Sequence, residues 1–76
     1  MTITKQDVID NGKELSALGL ESEMILGMTT EEINRYFTAE NFAAMFGECD
    51  YSDIELATWA FAARGQKFLL ENLDKI

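Results

Sequence analysis

The sequence predicts an all-α fold: one small domain of four to five mostly short helices packed around a long C-terminal helix at about residues 53–73. Three observations carry that expectation. Valine occurs once, at Val8, and proline never, while alanine and leucine occur eight times each. No segment of strand length alternates cleanly between apolar and polar residues. Helix-start and helix-stop signals recur at short intervals from end to end. A chain of 76 residues has enough apolar material for one core and too little for two.

The first helix is expected at about 5–18. Thr4 followed three places later by Asp7 is a weaker relative of the capping box, and Ile3 and Val8 are placed to staple across it. Asn11-Gly12 is the dissonant pair, a hairpin-turn dipeptide without strands beside it, and it predicts a weak or kinked helix there. Gly19 closes that helix. A short helix at 22–26 has Ser22 as a weak cap and Gly27 as its stop. A third, at 30–37, opens on Thr29 with Glu32 three later, and Met28 and Ile33 supply the staple. A fourth, at 39–46, has Thr38 as a weak cap and Gly47 as its left-handed close. The last opens on Ser52 with Glu55 three later, stapled by Tyr51 and Leu56.

That last helix is apolar nearly all round. Ile54, Ala57, Phe61, Gly65 and Phe68 form one stripe, and Leu56, Trp59, Ala63, Leu70 and Leu73 form a second on roughly the opposite side. A helix of that kind is buried, as the hub of its own domain or by a partner chain. Trp59 and Phe61 are both expected inside, with the stripe of Leu56, Trp59, Ala63 and Leu70 as the surface a homodimer would use.

Several chemistries lack their residues. There is no histidine, the commonest general base and metal ligand. The one cysteine, Cys49, cannot make an internal disulfide or a multi-cysteine metal site, and its anionic neighbours Glu48 and Asp50 disfavour a thiolate. The five glycines stand far apart, so no phosphate-binding loop forms. An EF-hand loop counted from Asp50 or from Glu48 puts Phe61 or Trp59 where a bidentate glutamate belongs. Length, acidity and helicity match acyl carrier proteins, but their Asp-Ser-Leu attachment triplet is absent, since Ser52 stands in Asp50-Tyr51-Ser52-Asp53-Ile54. The expectation is therefore a protein that is not an enzyme, with no cofactor and no metal. No stretch reaches ~18 uninterrupted apolar residues, and the first residues do not form a secretory signal. A cytoplasmic location is expected, with no membrane association.

The formal charge is −8, and all of it lies in the middle. Residues 21–58 hold Glu21, Glu23, Glu31, Glu32, Glu40, Glu48, Asp50, Asp53 and Glu55 against Arg35 alone. Such a segment repels nucleic acid directly and attracts basic protein surfaces. Carboxylates at phosphate-like spacings can compete with nucleic acid for a basic groove, as small phage or plasmid inhibitors do. The expected function is non-catalytic binding of a basic protein surface, such as that of a nucleic-acid-binding protein. Glu31, Glu32, Glu40, Glu48, Asp50, Asp53 and Glu55 are the expected contacts, with Tyr36 as an aromatic anchor. The alternative is a structural or assembly module that self-associates through an apolar face of the last helix.

Overall fold

The computed structural model describes residues 2–76, which form five α-helices and, among the described residues, no strand. They are α1 (Lys5–Ala17), α2 (Ser22–Gly27), α3 (Thr30–Tyr36), α4 (Ala39–Phe46) and α5 (Asp53–Glu71), with a 3-10 turn at Leu73–Lys75. The three hydroxyl caps close as reciprocal boxes. Thr4, Thr29 and Ser52 each accept from the third residue of their helix, and Asp7, Glu32 and Glu55 each reach back to the cap's own N–H. Each box satisfies two amides that would otherwise lack a partner. Thr38 also caps, accepting from the Asn41 amide at 3.2 Å.

Local expectations fail at three points. Ser22 does not cap α2; Glu21 stands at the cap position without a side-chain bond there, its carboxylate taken by the Ser16 hydroxyl at 2.6 Å. Gly19 and Gly47 adopt the left-handed conformation (φ 89° and 86°). Gly27 does not, because α2 leaves instead through an extended Met28. The Asn11-Gly12 pair does not interrupt α1, which runs through it unbroken. Tertiary bonding overrides the turn preference there. The Asn11 side-chain amide donates to Gln66 Oε1 at 2.9 Å and to the Ala62 carbonyl at 3.3 Å.

α5 is the hub: α1, α2 and α3 pack on it, and α4 packs on α3. The continuous core comprises Leu15, Leu20, Ile25, Ile33, Phe37, Phe42, Leu56, Ala60 and Ala63. Phe42 brings α4 into it, with edge-on or tilted contacts to Tyr36, Phe37, Phe46 and Tyr51 at 5.4–5.9 Å between ring centres. Tyr51 continues the cluster to Trp59 at 4.6 Å.

Only one of the two stripes of α5 is covered, whereas the sequence predicts both Trp59 and Phe61 inside. Leu56 and Ala63 are buried and Trp59 and Leu70 half-buried, so the stripe that the self-association alternative would use is the core face. Phe61, expected inside, is 73% exposed, Ile54 79% and Phe68 65%. The short helices approach α5 closely where Ala60 and Ala63 face them. One buried polar residue completes the core face. Gln66, 1% exposed, donates from Nε2 to the Val8 carbonyl at 2.9 Å while accepting from Asn11.

Candidate functional site

The acidic residues sit where helix ends favour them. Glu31 and Glu32 occupy the first turn of α3, Glu40 that of α4, and Asp53 and Glu55 that of α5. A carboxylate there is stabilised by the exposed amides and the positive end of the helix. Glu48 and Asp50 lie in the segment joining α4 to α5. All seven are exposed, but they are not equivalent. Glu32 accepts from the Thr29 N–H at 2.9 Å and Glu55 from the Ser52 N–H at 3.2 Å, so both close helices. The Thr29 backbone amide, then its hydroxyl and the Arg35 charge, hold the Glu32 carboxyl below the usual glutamate range. Glu31, Glu40, Glu48, Asp50 and Asp53 have no such structural employment.

The fold spreads these groups instead of converging them. Glu32 borders a cleft with Arg35, Tyr36 and Asn41. Glu48 and Asp50 border another with Leu18, Phe46 and Tyr51. Asp53 borders a third with Asn34, Thr38 and Arg64. Among the described residues no group of three or more carboxylates and cysteines is arranged to hold a metal ion, and the one ion pair is Lys67 with Glu71 at 3.8 Å. The nine carboxylates of residues 21–58 are thus exposed and form no ion pair among the described residues, with Arg35 acting on Glu32 from beyond ion-pair distance. Tyr36 is differently placed. Its hydroxyl donates to the Leu18 carbonyl at 2.8 Å, its ring meets Phe37 and Phe42 edge-on, and burial pushes its phenol up. Tyr36 is half-buried, and it also lines the cleft it shares with Glu32, Arg35 and Asn41.

Two further surfaces were not singled out from the sequence. The exposed stripe of α5 presents Ile54, Phe61 and Phe68 at intervals of seven residues, with Arg64 lying over the Phe61 ring, 6.0 Å from its centre. The signal for it was present, since both stripes were visible; the choice between them was not. A groove of about 680 Å³ between α1 and α5 is floored by Val8, Ile9, Leu70 and Leu73 and edged by Lys5 and Lys13. No helix among the described residues is long and apolar enough to cross a membrane. Compared with protein-family models, curated proteins and solved structures, the chain matches none.

Proposed function

We propose that the protein is a cytoplasmic, non-catalytic binding domain whose acidic middle segment contacts a basic surface on another protein. The observation that supports this is the state of its carboxylates, which are exposed and form no ion pairs among the described residues. Carboxylates so arranged leave an uncompensated field that steers a basic partner toward them. Because the groups are spread over the first turns of three helices and the segment joining α4 to α5, the contact is distributed, and no single carboxylate dominates it. The target surface is one that nucleic acid would otherwise occupy, as with inhibitors of the phage or plasmid type.

The test compares capture from a nuclease-treated host lysate by the wild type and by a variant carrying Glu31→Gln, Glu40→Gln, Glu48→Gln and Asp50→Asn. These four are chosen because none closes a helix. The proposal expects a basic protein retained by the wild type, lost by the variant, and displaced by added DNA or RNA. Retention by both proteins, undisturbed by nucleic acid, would place the contact elsewhere.

A further inference from the structure

We infer that the exposed stripe of α5 is a two-fold interface for a second copy of this chain, with the two α5 helices antiparallel and centred on Phe61. An isologous interface has to fit its own reverse. This stripe does. Ile54 and Phe68 lie seven residues to either side of Phe61, and the small residues Ala57 and Gly65 lie four to either side. Centring an antiparallel pair there sets Ile54 against Phe68 of the other copy and Ala57 against its Gly65. Side chains on a helix lean toward its N-terminus, so each Phe61 ring comes to rest over Gly65 of the opposing helix. Gly65 leaves that space open, since a Cβ there would meet nothing within 4 Å.

Charge selects the antiparallel direction. The first turn of α5 carries Asp53 and Glu55, and its second half carries Arg64 and Lys67 against Glu71, a net positive charge even with Lys67 paired to Glu71. Antiparallel packing brings the acidic turn of each copy alongside the basic half of the other, whereas parallel packing would align like with like. The stripe's own side chains are uncharged and Arg64 lies over its central Phe61 ring, so a strongly basic partner gains little by covering it. Area points the same way. Two largely exposed phenylalanines and an isoleucine offer on the order of 400 Å² of apolar side chain. With Ala57, Thr58 and Leu69 beside them, two copies approach the lower end of specific interfaces, about 1,200 Å² in total. The dimer is therefore reversible and concentration-dependent.

Sedimentation of the full chain over a range of concentrations tests this, with Phe61→Glu and Phe68→Lys as two independent variants. The wild type is expected to move from 8.6 kDa toward twice that mass. Each variant should dimerise at least about 100-fold more weakly, with unchanged circular dichroism. Added salt should not dissociate the dimer, because its contact is apolar and salt screens both the cross-copy attraction and the repulsion between two chains of charge −8. Salt should weaken acidic capture of a basic partner, so the two readings fail separately. A wild type that stays monomeric to about 1 mM, or a dimer that survives both variants, would overturn the inference.

Discussion

Gln66 donates its side-chain amide to the main-chain carbonyl of Val8 at 2.9 Å, in a position only 1% exposed, and so fastens α5 to α1. Both polar atoms of this side chain are used, since Oε1 accepts from Asn11. A carboxylate in the same place would turn a donor into an acceptor against the Val8 carbonyl and bury an unpaired charge. Gln66→Glu should therefore lose ~3–5 kcal/mol at neutral pH. The buried carboxyl would have its pKa raised, so the loss should shrink as pH falls through that raised folded value and be fully relieved once pH is below the unfolded one. Urea titrations at neutral and acid pH measure both quantities.

Two glycines in helices should respond oppositely to alanine. At Gly12 a Cβ would stand 3.2 Å from Gln66 Nε2, and Gln66 is held by two hydrogen bonds and cannot give way. Gly12→Ala should destabilise by ~1 kcal/mol despite its better helix propensity. At Gly65 nothing is met within 4 Å. Gly65→Ala should raise stability by about 1 kcal/mol in dilute protein. Thermal melts of the two variants beside the wild type decide the signs.

The two phenylalanines Phe42 and Phe61 separate core from surface. Phe42 is 1% exposed and centres the aromatic cluster, so Phe42→Ala should cost ~3–5 kcal/mol, most of what so small a domain has. Phe61→Ala, at a position 73% exposed, should leave the melting temperature within a few degrees of wild type. An unfolded Phe61→Ala variant would contradict the assignment of the α5 faces.

Tyr36 ties the end of α1 to α3 through its bond to the Leu18 carbonyl. Tyr36→Phe should cost about 0.5–1.5 kcal/mol at neutral pH. Burial raises the phenol's folded pKa, so its contribution is intact below the unfolded tyrosine value and declines as pH rises through the folded one. The wild type should lose stability with pH in that alkaline range more steeply than Tyr36→Phe. Denaturant midpoints measured across that range check the difference in slope.

The helices were legible because their ends are written locally. Thr29 with Glu32 and Ser52 with Glu55 announce boxes that the fold forms. What was not legible depends on partners distant in sequence. Asn11-Gly12 reads as a turn until Gln66, 55 residues away from Asn11, accepts its amide. Periodicity displayed two apolar stripes on α5 but could not say which one Ile25, Ile33 and Phe37 would cover. The carboxylates were visible from the outset; that Glu32 and Glu55 are engaged in capping while Glu31 and Glu40 are not is a distinction of geometry. Nothing local to Tyr36 shows that its hydroxyl reaches the Leu18 carbonyl.

The most direct measurement of the proposed function is the rate at which the captured target associates with the wild type and with the Glu31→Gln, Glu40→Gln, Glu48→Gln, Asp50→Asn variant as salt is raised. Distributed carboxylates act through a field screened over ~10 Å at 0.1 M salt. The wild-type rate should therefore fall steeply with ionic strength, and the variant should be slower at low salt with a much flatter dependence. Equal rates for the two proteins, unchanged between low and high salt, would contradict an acidic contact surface.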